Sequence, residues 1–217
     1  MRLLYRIQEL LFPAKCILCG CVLAREETDL CRKCRVEAPV YPSHKRKIQF
    51  LDSFTAVWYY KGYVRSSLRR YKFRNARVYA GGYGRLLAMR LLEDHPEGFD
   101  LITWVPVSPW RKFCRGYDQS ELLAREIGIQ LGMEPVRLLK KVRHNRQQSL
   151  LRDASVRRAN VLGVYRVLEP EIFRDKRILL VDDILTTGAT AGECARILLT
   201  AGAGEVHCGA VAAAHNK

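Results

Sequence analysis

The chain has 217 residues, 48% of them hydrophobic, enough for one good core plus a small appended module. Its formal net charge of +15 predicts polyanionic partners: nucleic acid, a phosphorylated ligand or an anionic membrane surface. No apolar run approaches the roughly 20 residues that span a bilayer, and the stretch from Met1 to Phe12, broken by Arg2, Arg6, Gln8 and Glu9, makes a poor signal peptide, so a cytoplasmic protein is expected.

Residues 2–11 place Leu3, Leu4, Ile7, Leu10 and Leu11 at helical spacing. This predicts a short amphipathic helix packed on the body, and the flanking Arg2 and Arg6 leave a membrane-surface role open. Five of the eight cysteines lie between positions 16 and 34, while Cys114, Cys194 and Cys208 are scattered singly. In a reducing compartment, such a cluster points to metal binding over disulfides. Cys16-x-x-Cys19 and Cys31-x-x-Cys34, eleven residues apart, supply four thiolates for a tetrahedral Zn²⁺. Four protein ligands close the site, so the metal is structural, and so small a module needs it to fold. Cys21 is a spare thiol able to replace Cys19. Redox chemistry at the paired cysteines is the rival reading.

Pro39, Pro42 and Ser43 to Lys47 read as a linker. Ser53 to Tyr60 alternates Phe54, Ala56, Trp58 and Tyr60, a strand pattern. Residues 61–77 hold seven basic side chains and no acid, with Tyr63, Tyr71 and Phe73 interleaved. The tract can track a phosphate backbone and stack bases, or it is a solvated helix face with tyrosines anchored in the core. Helix continues over residues 79–94, with Leu86, Leu87, Met89, Leu91 and Leu92 as its apolar surface. Leu101 to Val105 is a second buried-type strand, running into a loop from Pro106 to Gln119. Asp118 or Ser120 can cap the next helix, whose apolar side is Leu122, Leu123, Ile127 and Leu131. Residues 137–158 form a second basic tract with Asp153 as its only acid, polar and expected to be mobile.

The chain is organised around residues 177–202. Ile178 to Val181 is a continuous apolar run, which suits a strand buried on both faces of a parallel sheet. Asp182 and Asp183 then stand at its C-terminal end. Thr186, Thr187, Gly188, Ala189 and Thr190 follow as a small, hydroxyl-bearing loop. A helix begins next, with Ala191, Cys194, Ala195, Ile197, Leu198 and Ala201 as its apolar side and Gly202 as its stop. Unpaired N–H groups at that helix start, together with the threonine hydroxyls, suit a phosphate. The two aspartates suit sugar hydroxyls and Mg²⁺. A ribose carrying a 5-phosphate satisfies both halves. A final apolar strand runs from Val206 to Ala213.

The stretch Val181 to Thr190 resembles the phosphoribosyl pyrophosphate (PRPP) loop of type I phosphoribosyltransferases. The resemblance implies that Asp182 and Asp183 are the catalytic acidic pair, contacting the ribose hydroxyls with Mg²⁺. It also implies that Thr186, Thr187, Gly188, Ala189 and Thr190 cradle the 5-phosphate. Ligands of open α/β sheets bind beyond the carboxyl ends of the strands, which brings the 106–119 loop to the same site. Val107, Ser108 and Arg115 are the expected pyrophosphate contacts. The 137–158 tract can close over PRPP, hold nucleic acid or simply solvate.

More of the chain matches. Phe12-Pro13 before Cys16-x-x-Cys19-Gly20 and Cys31-x-x-Cys34 is similar to the zinc-ribbon head of the ComF family. Arg115-Gly116-Tyr117-Asp118-Gln119-Ser120 resembles its Arg-Gly-aromatic-Asn-Gln signature, with Asp118 where asparagine is common. Gln148 to Leu151 and Arg157 to Val161 resemble its later motif. The resemblance implies a cytosolic PRPP-binding protein linked to DNA uptake in natural transformation. Such a protein acts on single-stranded DNA with competence helicase and DNA-processing partners. The expected fold is α/β, type I phosphoribosyltransferase-like, with a mainly parallel sheet flanked by helices over residues 46–217. A helix and zinc ribbon precede it over residues 1–45. The expected function is a PRPP-dependent phosphoribosyltransferase with no acceptor pocket legible in the sequence. The alternative is a non-catalytic nucleic-acid-binding module that uses the phosphoribosyl site as a sensor or structural-ligand site.

Overall fold

The structure, a computed structural model, describes residues 13–43, 47–73, 76–143 and 162–215. The helix expected over residues 2–11 and the expected mobility of residues 144–158 lie outside them.

Four parallel strands form the central sheet in the order β1-β6-β5-β2. They are β1 (Ser53–Tyr59), β2 (Leu101–Trp104), β5 (Arg177–Leu185) and β6 (Glu205–Ala213). The unbroken apolar run of β5 has the cause its sequence suggests. Leu179 and Val181 enter one core, Ile178 and Leu180 the other, and all four are fully buried. Helices α2 (Gly62–Phe73), α3 (Tyr79–Asp94) and α5 (Gln119–Leu131) cover the first face through Leu68, Tyr83, Leu87, Leu123 and Ile127. Helix α6 (Ala189–Thr200) covers the second through Ala191, Cys194, Ala195 and Leu198. The α/β class with a mainly parallel sheet flanked by helices is therefore present.

Three local expectations change. The stretch read as a linker begins paired to the sheet edge: Tyr41 N–H donates to Val57 O at 3.0 Å, Tyr59 N–H donates to Pro39 O at 2.7 Å, and Tyr41 is buried. Its prolines fit there because an edge needs few donors. Within the 106–119 stretch, read as loop, lies a short helix α4 (Pro109–Arg115). Its signals are in the sequence: Ser108 as N-cap, Pro109 at the first helical position, and Gly116 left-handed at φ 74° after the last turn. A two-stranded antiparallel sheet, β3 (Leu139–Lys141) with β4 (Tyr165–Val167), was not foreseen either. At three residues each, its strands are too short to show periodicity.

The cysteine-bearing segment, with helix α1 (Arg32–Glu37), packs on the first helical layer. Ile17, Leu18 and Leu30 share one apolar cluster with Leu68, Tyr71 and Tyr83. Arg70 donates to Leu18 O at 2.6 Å, and Arg85 Nε donates to Asp29 at 2.9 Å. Among the described residues no helix is long and apolar enough to cross a membrane.

Candidate functional site

Strand β5 outruns its neighbour. Its pairing with β2 ends at Trp104↔Val181, while its pairing with β6 continues to Leu185↔Ala213. Asp182 and Asp183 therefore lie inside the strand and not after it, opposite the gap that β2 leaves. Alternation along the strand sends the two carboxylates toward different neighbours. Asp183 pairs with Lys72 Nζ of α2 at 2.9 Å. Asp182 Oδ1 accepts from Ser120 Oγ at 3.2 Å and from Asp183 N–H at 2.8 Å. Burial, then the charge of Asp183, pushes the Asp182 carboxyl up to about 7 against the opposing pull of Lys72.

The pair opens into a pocket at the carboxyl edge of the sheet. Thr186, Gly188, Ala189 and Thr190 line it from the start of α6. Gly188 is left-handed at φ 80°, and a Cβ there would stand 2.7 Å from Ile48 Cδ1, so only glycine fits this turn. Thr187 faces elsewhere. Its hydroxyl accepts from Ala189 N–H at 3.3 Å, and it lines a second cavity with Lys47, Phe50 and Arg196. Val107 and Arg115 line the main pocket. Ser108 does not: it is buried, and its hydroxyl caps α4 by accepting from Arg111 N–H at 3.3 Å.

Asp118 caps α5. It accepts from Ser120 N–H at 3.1 Å, Glu121 N–H at 3.3 Å and Val107 N–H at 3.0 Å. Burial raises its pKa while these donors favour the carboxylate. Each bond uses it as acceptor, so an acid serves here without an amide donor, and it ties the 106–107 turn to α5.

Sequence reasoning held Lys72 and Lys141 only as members of basic tracts and Ser120 only as a cap and signature residue, and it passed over Tyr165; all four line the pocket. Lys141 reaches it from β3, 5.4 Å from the Tyr165 ring centroid. Burial, then the charge of Arg111, lowers the Lys141 ammonium to about 8. Burial, then Arg115, lowers Arg111 in turn. Lys141, Arg111 and Arg115 therefore converge, Arg111 repelling Lys141 and itself repelled by Arg115, on a pocket that also holds two carboxylates. A polyanion lodged among the cations would relieve that repulsion. The oxygen donors of Asp182 and Asp183 suit a hard divalent ion such as Mg²⁺.

At the other end of the chain, Cys16, Cys19, Cys31 and Cys34 bring their sulfurs within 4.8 Å of one another. Zn–S bonds of about 2.3 Å at tetrahedral angles require S···S separations near 3.8 Å, and Cys19 and Cys31 sit 3.7 Å apart. The set therefore fits zinc. Burial opposes the Cys19 thiolate, but hydrogen bonds from Cys21, Cys16 and Cys34 outweigh it and bring the thiol down to about 6. Cys21 lies 3.4 Å from Cys19 but is exposed and outside the set of four.

Fold and pocket agree with a comparison of sequences: residues 118–217 match the phosphoribosyl transferase domain family. The matched span contains the acidic pair, the loop before α6 and the cap Asp118. Over nearly its whole length the chain is similar to Competence protein F of Haemophilus influenzae, at 27% identity across 207 residues and 89% of each chain. Competence protein ComFC of Bacillus subtilis is 26% identical over 86% of this chain and 72% of its own. DNA utilization protein YhgH of Salmonella typhi is 28% identical over 88% and 86%. The likeness to the ComF family read from the motifs thus holds along almost the full sequence.

Proposed function

We propose that the pocket binds PRPP with Mg²⁺. In this reading Asp182 and Asp183 orient the ribose hydroxyls, and Thr186, Gly188, Ala189 and Thr190 with the α6 N–H groups hold the 5-phosphate. Val107, Arg115, Arg111 and Lys141 take the pyrophosphate. Asp182 and Asp183 would hold Mg²⁺, which would supply positive charge to offset that of a leaving pyrophosphate. Thr187 supports the loop instead of touching ligand, and Ser108 acts through the α4 cap.

One observation carries the proposal: two carboxylates, a left-handed glycine turn at a helix start and a group of cations all line one pocket. The relatives named for competence and DNA utilization support a role in DNA handling; we place that role on single-stranded DNA during uptake, in the cytoplasm and alongside helicase and DNA-processing proteins. The excess of positive charge supports the same role.

The test is calorimetric titration of zinc-loaded protein with PRPP, with and without Mg²⁺. Mg²⁺-assisted binding that disappears in Asp182→Asn/Asp183→Asn is the expected result. No binding across several temperatures would overturn the proposal. Pyrophosphate release on addition of a nucleobase assigns a transferase; PRPP binding without release assigns a sensor.

A further inference from the structure

Helix α4 stands at the pocket rim and has no buried residue along its seven positions. Trp110 and Phe113 are 63% and 81% exposed, with their rings loosely stacked at 6.2 Å and 27°. The opposite side of the helix sends Arg111 and Arg115 into the pocket lining. Arg115 lies 5.0 Å over the ring of Phe73, which is itself 60% exposed. Arg77 and Arg115 flank Gly116, where α4 ends. Arg77 donates to Gly116 O at 2.9 Å, and Arg115 donates to Gln119 Oε1 at 2.8 Å. Neither has a carboxylate within ion-pair distance among the described residues, whereas Lys112 is held by Glu121 at 2.7 Å.

Scattered apolar side chains on a surface are ordinary, but three exposed aromatic rings around one short basic helix form a patch. The phosphoribosyl site does not account for Trp110 and Phe113, because the pocket lining includes neither. They do not serve the core, because they are solvent-facing. A flat aromatic face beside an unneutralised guanidinium matches one ligand chemistry: an unstacked base with its phosphate alongside. A duplex hides its base faces, so the match is to a single strand.

We propose that α4 is a base-stacking platform for single-stranded DNA. Bases stack on Trp110, Phe113 and Phe73, and phosphates lie against Arg77 and Arg115. The proposal rests on the DNA-handling role above and adds its location. It places the strand across the rim of the phosphoribosyl pocket, with Arg115 shared between the two.

The chain has three tryptophans, and the other two, Trp58 and Trp104, are 3% and 7% exposed. Emission from Trp110 therefore reports contact without any mutation. Titrating the full zinc-loaded chain with an oligo-dT of about fifteen nucleotides should quench that emission. A fluorescein-labelled copy should bind with an affinity that falls as salt rises. Trp110→Ala/Phe113→Ala should weaken oligo-dT binding by about tenfold or more. Trp110→Phe should retain most of the affinity, and PRPP titration of the double variant should match the unmodified chain. Oligo-dT bound equally by double variant and parent, or bound without quenching, overturns the platform and leaves the DNA role standing. No single-strand binding at all overturns both. Tighter binding to oligo-rU overturns DNA as the occupant, and Trp110 quenching by anionic phospholipid vesicles but not by oligo-dT assigns the patch to a membrane.

Discussion

The two edges of the central sheet carry similar residues used in opposite ways. At the edge where β5 begins, Ser53, His95, Glu97, Arg177, Glu205 and His207 close on one another. Ser53 Oγ lies 3.1 Å from His95 Nε2 and 2.8 Å from His207 Nδ1. Arg177 Nε is 3.2 Å from His207 and 3.3 Å from Glu205, and its guanidinium also pairs with Glu97. At the edge where β5 ends, Lys72 meets Asp183. Among the described residues Asp182 has only hydroxyl and N–H hydrogen-bond partners, and Arg111, Arg115 and Lys141 line the same space. A closed polar set spends its hydrogen bonds on the fold. An open set, with carboxylates and cations lining one cavity, presents its charge to whatever enters that space.

The contrast can be tested by disturbing each edge in turn. The largest effect is expected from Asp182→Asn/Asp183→Asn. PRPP affinity should fall by about 100-fold or more, since two charged acceptors are lost. Stability to urea should change little, because the substitution also relieves repulsion between adjacent carboxylates. A large loss of stability with intact PRPP binding would reverse the assignment of the open edge. Gly188→Ala comes next: its left-handed turn and the 2.7 Å approach to Ile48 should cost about 2 kcal/mol in urea unfolding and weaken PRPP as well.

Arg177→Met at the closed edge should cost about 1 kcal/mol, since Glu97 and Glu205 are half exposed. PRPP titration of that variant should match the parent, and a loss of affinity would mean that the two edges are coupled.

The smallest effect is a pH slope. Burial, then His207, lowers the pKa of His95, with Glu97 opposing and Arg177 assisting. The unfolded chain takes up that proton at about 6.5. His95 therefore adds stability above this pH that is lost as pH falls through it. Urea unfolding between pH 7.5 and 5.5 should show a shallower decline in His95→Gln than in the parent. Equal slopes would remove His95 from the account.

Much of this was legible wherever one stretch of sequence carries the whole feature. The run Ile178 to Val181 reads as a doubly buried strand because both faces are apolar. The threonine–glycine loop and the cysteine spacing are local motifs whose geometry follows from residue type. Ser108, Pro109 and Gly116 were equally local, yet the basic residues between them masked a helix. Lys72, Lys141 and Tyr165 could not be read, because nothing in their own neighbourhood shows that α2 and a three-residue strand arrive at Asp182 and Asp183. Thr187 and Ser108 lie in the segments that line the pocket, but a rotation of one residue turns a side chain from the cavity to a bond within its own turn.

The position of β6 between β1 and β5 sets an order of events during synthesis. Until residues 205–213 leave the ribosome, β1 has no strand partner in the central sheet, and β5 has only β2. The contacts of β6 with β1, such as Ser53 with His207, join residues from nearly opposite ends of the sheet's sequence, which makes their formation slow. A nascent chain halted before Glu205 should be degraded readily by added protease, and one released past Ala213 should resist. The acidic pair and its glycine turn are translated before β6, but they gain a fixed geometry only when the sheet closes around them.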